Sequence, residues 1–130
     1  MPFVADTHAL VWYMTDNPSL SLTAKKIFQR ADGGEEKIHI PCIVFFELLY
    51  LVEKGKVGIA FGDFVSMFTF SSNYVVEPVW VPVIKKSSEI PDGIVPDPWD
   101  RLIAATSMHL NLPLITRDRT LRRIGLRTIW

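Results

Sequence analysis

The stretch DPWDRLIAATSMHLNLPLITRD, from Asp97 to Asp118, reads as one helix passing through a short loop into one strand. Asp97 followed by Pro98 marks the helix start. An aspartate oxygen accepts the free amides of a first turn, and proline at the first helical position lacks only a hydrogen that had no partner. The helix is expected to reach about Leu110, and the apolar run Leu114 to Thr116 to form a strand. A helix feeding an apolar strand is half of a parallel β-α-β unit, so the flanking sequence should repeat the alternation.

It does, in both directions. Pro2 to Ala5 is a short apolar run that reads as a buried strand, leading through Asp6 and Thr7 into an apolar segment around Leu10 to Met14. Ser21 or Thr23 is placed to cap a helix ending near Ala31, with Ala24, Ile27 and Phe28 facing inward. Asp32-Gly33-Gly34 breaks it, Lys37 to Ile40 reads as a second strand, and a helix is expected from about Ile43 to Lys54, stopped at Gly55. Phe61 to Phe70 is helical by spacing, with Phe61, Phe64, Val65 and Phe68 on one face, which makes that face a candidate either for the core or for a partner. Tyr74 to Val76 reads as a third strand, Val83 to Ser88 as a short helix, and Leu126 to Ile129 as a fifth strand after Leu114 to Thr116. The expected fold class is α/β: one domain over residues 1–130, three layers, with a parallel sheet of four or five strands.

Composition narrows the function classes. Lys plus Arg number 14 and Asp plus Glu number 14, so no whole-molecule field draws the chain to nucleic acid, and any such binding needs a local patch. Cys42 is the only cysteine, which excludes an intrachain disulfide, and its apolar surroundings suggest a buried structural thiol. No basic region precedes an apolar stretch at the N-terminus. The longest apolar run, Cys42 to Val52, is broken by Glu47 and falls short of the roughly 20 residues that span a bilayer. The expectation is a cytoplasmic protein.

The chemistry is carried by acids. Sites in open parallel sheets form beyond the carboxyl ends of strands. Asp6 ends the first strand, Asp118 lies just past the fourth, and Asp100 stands in the first turn of the helix that Asp97 caps. Glu47 interrupts an otherwise apolar helix. If that helix is buried all round, its carboxylate has to be protonated, paired or bound to a cation. Oxygen donors without a supporting His or Cys pattern suit Mg²⁺ or Mn²⁺ rather than zinc; His8, His39 and His109 show no ligand spacing. Each acid also has a plainer role: Asp6 and Asp118 as helix caps, Glu47 as an arginine partner, Asp100 as a charge favoured at a helix start. Around them, His8 is a candidate substrate contact or accessory group, and Thr116 a candidate to orient Asp118. Arg117, Arg119 and Arg122 belong to an arginine-rich end that is the one candidate phosphate patch, or else a solvated face.

The same residues carry a family resemblance. VADTHALVW (Val4 to Trp12), FFELL around Glu47, DPWDRLIAA (Asp97 to Ala105) and NLPLITRD (Asn111 to Asp118) resemble, in this order, the acidic motifs of PIN-domain proteins of the VapC-type toxin group, as does the ending GLRTIW. That resemblance implies a metal-dependent endoribonuclease whose Mg²⁺ or Mn²⁺ is held by Asp6, Glu47, Asp100 and Asp118. Asp100 rather than Asp97 matches because LIAA follows at the family's spacing, which leaves Asp97 accessory. It also implies a toxin held inactive by a cognate antitoxin, and a homodimer. One departure stands out: Val44 occupies a position where the family often has serine, so hydroxyl support for Glu47 is expected to be missing. This motivates a second reading, a catalytically weak PIN-fold domain that binds RNA. A phosphatase using Asp6 as nucleophile is a third, disfavoured by His8 where a second aspartate would be needed.

Overall fold

A computed structural model describes residues 1–130. Five parallel strands form one sheet: β1 (Phe3–Ala5), β2 (Ile38–Pro41), β3 (Tyr74–Glu77), β4 (Leu114–Ile115) and β5 (Thr128–Ile129), in the order β3-β2-β1-β4-β5. Helices α1 (Thr7–Met14), α2 (Leu22–Asp32), α3 (Cys42–Glu53), α4 (Phe61–Thr69), α5 (Val81–Ser87) and α6 (Pro98–Leu110) make the connections and cover both sides of the sheet. The α/β expectation is met, and the fifth strand is present as the last two-residue ladder.

The order of the strands positions the site. From β1 the chain steps one way, to β2 and then β3; it then returns across the sheet to β4 and continues the other way to β5. The direction reverses between β1 and β4, and such a switch point leaves a crevice at the carboxyl ends of the two strands. Both strands are almost wholly buried, as a parallel sheet covered on both faces requires.

Local sequence explains the helix starts. The Ser21 hydroxyl caps α2 by accepting from the Ala24 amide at 3.1 Å, and Ala24, Ile27, Phe28 and Ala31 face inward as their spacing implies. Tyr13 of α1 stacks on Phe28 with ring centroids 4.6 Å apart. α6 runs from Pro98 to Leu110 as expected and is tied down by Arg101, whose guanidinium donates to the carbonyls of Ser87 at 2.7 Å and Ile90 at 3.2 Å.

Two expectations are corrected. The helix around Glu47 is apolar all round yet not buried all round: α3 buries Val44, Phe45 and Leu48, while Phe46 and Tyr50 are 55% and 54% exposed and Cys42 is exposed too. α3 is an outer layer packed on α1, α4 and α6, so one face stays outward, and Cys42 is an accessible thiol rather than a structural one. For the aromatic stripe of α4, of the two roles left open the core is the one adopted. Phe64 and Phe68 are each 1% exposed and pack with Phe45 and Tyr74, so this face belongs to the core.

Candidate active site

Asp6 follows β1 directly. Its amide still pairs with the Ile115 carbonyl of β4 at 3.2 Å, so the backbone is held by the sheet while the side chain lies beyond it. One carboxylate oxygen caps α1 by accepting from the Ala9 amide at 2.9 Å. Thr116 stands at the matching end of β4, its amide paired with the Ile129 carbonyl at 3.1 Å. The buried Thr116 hydroxyl accepts from the Asp118 amide at 3.1 Å and favours the charged form of the Asp6 carboxyl. It therefore orients the backbone of Asp118 rather than the Asp118 carboxylate. That carboxylate is held instead by Thr120, whose amide and hydroxyl donate to it at 2.9 and 2.6 Å as it caps the 3-10 turn Arg119–Ile124.

From the other side, Asp97 caps α6 by accepting from the amides of Trp99 at 2.8 Å and Asp100 at 3.2 Å. Asp100 then points from the first turn of the same helix. Glu47 reaches in from α3, and its Oε1 accepts from the Thr7 hydroxyl at 2.6 Å. The expectation that Val44 leaves Glu47 without hydroxyl support is thus overturned. Val44 is fully buried in the core, and the packing of α1 across α3 supplies the hydroxyl from another element.

These side chains line one open cavity of ≈ 370 Å³, together with His8, Trp12, Ile103, Leu114, Arg117 and Leu121. Asp6, Glu47, Asp97, Asp100 and Asp118 all meet there. Of the arginines, only Arg117 lines it. Arg119 is exposed outside it, and Arg122 is turned to β5, its Nε donating to the Thr128 hydroxyl at 2.6 Å. Nothing in the sequence pairs Thr7 with Glu47 or singles out Trp12. The only signal for either was a place within the segment after Asp6.

Crowding of acids shifts their titration. Burial pushes the Asp6 carboxyl up, opposed by Thr116, the Ala9 amide and His8, and reinforced by Glu47. Asp100 is pushed up to about 6, first by burial and then by the charges of Asp97, Glu47 and Asp6. Such a site favours a proton or a cation. The donors are hard oxygens, the set that suits Mg²⁺ or Mn²⁺. No three His, Cys, Asp or Glu side chains already stand in metal-holding geometry.

The PIN domain family model matches residues 3–126. The chain belongs to the PIN domain family. Ribonuclease VapC22 of Mycobacterium tuberculosis is 26% identical over 117 residues, which covers 90% of this chain and 87% of that one. Among solved structures, VapBC2 from Rickettsia felis, bound to a promoter DNA fragment, superposes with a TM-score of 0.74 at 21% identity, covering 99% of this chain and 98% of that one. VapBC-1 from nontypeable Haemophilus influenzae reaches 0.66 at 17% identity, over 99% and 97% of the two chains. FitAcB from Neisseria gonorrhoeae gives 0.66 at 14% identity, over 98% and 96%. At these identities the structural likenesses establish the PIN fold and nothing finer.

Proposed function

We propose that this PIN domain is a Mg²⁺- or Mn²⁺-dependent endoribonuclease that hydrolyses RNA phosphodiester bonds, and that it is the toxin of a toxin–antitoxin pair. The observation that carries the reading is the convergence of five carboxylates from β1, α3, α6 and the loop after β4 on one cavity at the sheet's switch point. The similarity to a VapC ribonuclease supports it, and the VapBC complexes among the structural relatives make an antitoxin the expected partner. We extend the same reading to a homodimer and a cytoplasmic location; no helix is long and apolar enough to cross a membrane.

Asp6, Glu47, Asp100 and Asp118 would hold the ion. A divalent ion held by them would supply Lewis-acid chemistry, making water a better nucleophile and offsetting charge on the phosphodiester. The chain's own groups do the positioning. Thr7 fixes Glu47, the Ala9 amide fixes Asp6, and Thr120 fixes Asp118, so three acids enter the site with one oxygen already committed. Asp97 holds the first turn of α6 and so sets where Asp100 stands. Arg117 is the cation available to a phosphate inside the cavity. With Glu47 supported by Thr7, the catalytically weak alternative loses the feature that motivated it.

The test is Mn²⁺-dependent cleavage of a panel of structured RNAs by wild type and by Asp6→Asn. Cleavage by wild type that disappears in the variant is the expected result. Equal activity in the two would remove the assigned site.

A further inference from the structure

Beside the acids, the cavity is lined by groups of different chemistry, His8, Trp12 and Arg117. The Trp12 indole is half-buried: part of it packs on the core and part lines the cavity. Trp130 meets it nearly edge-on with centroids 5.8 Å apart, the His8 ring lies 5.6 Å away, and the Arg117 guanidinium sits 5.9 Å over its ring. Indole, imidazole and guanidinium together form a stacking surface beside the carboxylates.

The charge balance gives that surface a task. The chain is neutral, and apart from a divalent ion held by the carboxylates Arg117 is the one cation in the cavity to meet a phosphate. Contacts that do not depend on charge therefore have room to add to affinity for RNA. Unpaired bases supply one, since every nucleobase has a π-face, and aromatic side chains with arginine planes are the usual platforms for it.

We propose that Trp12, braced by Trp130 and flanked by His8, stacks an unpaired nucleobase of the RNA next to the bond to be cut. In the bound state Arg117 leaves the ring face for the adjacent phosphate. A charge-assisted, bidentate phosphate contact is stronger than a cation–π contact at an exposed site, so the exchange is downhill and frees the ring for the base. The proposal rests on the ribonuclease reading above. It makes Trp12 a substrate-binding residue that selects single-stranded over paired segments.

The experiment is a binding cycle in Ca²⁺. The probes are a fluorescein-labelled hexauridylate carrying one adenosine, with the adenosine walked along the strand, and its abasic counterparts. At one position wild type is expected to bind the base-bearing probe about 10-fold more tightly than the abasic one. W12L should reduce that ratio to less than 2-fold, and W12F should keep most of it, with thermal melts confirming that both variants fold. An undiminished ratio in W12L overturns the proposal, as does a wild type that ignores the abasic site at every position. Should W12L unfold, the wild-type walk and W12F carry the same test. Cleavage by wild type in Mn²⁺ is scored separately: a chain that discriminates through Trp12 yet cuts no RNA refutes the nuclease reading and leaves the stacking site standing.

Discussion

The Thr7 hydroxyl donates to Glu47 Oε1 at 2.6 Å, joining the first residue of α1 to the middle of α3. Thr7 is almost wholly buried, so this bond fixes a carboxylate that would otherwise be free to rotate at the cavity wall. Replacing it with valine keeps the shape and removes the donor. Thr7→Val is expected to lower kcat/KM on RNA about 10-fold and to raise the Mn²⁺ concentration needed for half-maximal activity, while Thr7→Ser restores both. An activity-versus-Mn²⁺ titration that superimposes on wild type would show that Glu47 does not need the hydroxyl.

Asp100 predicts a conflict between stability and activity. Its carboxyl is pushed from the ordinary 3.8 up to about 6, so between those values the folded chain holds a proton that the unfolded chain has released. Stability from this group therefore falls as pH rises through that window and is lowest above it. Asp100→Asn should raise the metal-free melting temperature at pH 7 by about 3 °C, allowing for the exposure of the group, and abolish cleavage. Added Mn²⁺ should then stabilise wild type more than the variant. Scanning calorimetry at pH 4.5 and pH 7, with and without Mn²⁺, checks all three; a variant no more stable than wild type at pH 7 contradicts the sign.

Away from the site, Asp32 at the end of α2 accepts from the hydroxyls of Tyr13 and of Tyr74, the latter at 2.7 Å. Burial pushes both phenols up, and hydrogen bonding to Asp32 and its charge push them further. The fold thus prefers them protonated, so their contribution is intact below the ordinary tyrosine value of 10.0 and is lost as pH rises beyond it. Tyr74→Phe, which leaves one oxygen of Asp32 short of a donor, is expected to cost about 1–2 kcal/mol at pH 7 and to soften the decline above pH 10. Urea midpoints for both proteins at pH 8 and pH 11 measure this. Parallel declines would mean that Tyr74 is not the titrating group.

The arginines should separate by role. Arg117 lines the cavity, whereas Arg122 links the 3-10 turn to Thr128. Arg117→Ala is expected to weaken RNA binding and to reduce the slope of log K against log salt by about 1, with little change in melting temperature. Arg122→Ala should leave that slope alone and lower stability by about 1 kcal/mol. The reverse pattern would place the phosphate contact on the wrong residue.

What local sequence determined was wherever structure depends on neighbours two to four positions away. Asp97-Pro98 started α6, Ser21 capped α2, and Asp6 and Asp118 stood beyond apolar strands, because capping and strand ends are set by chemistry within a turn. The alternation of those elements sufficed for a parallel sheet, and so for a crevice with acids in it. Tertiary packing decided the rest. Phe64 and Phe46 are equally apolar, yet one is sealed against Tyr74 through Phe68 and the other stacks on Trp99 at the surface, according to which helix lies in the outer layer. Thr7 replaced the hydroxyl that Val44 lacks because α1 crosses α3, and Trp12 met Trp130 and Arg117 because β5 lies beside β4. Hydrophobic burial is non-directional, so composition says how much of it a helix seeks, while only the packed layers say which face obtains it.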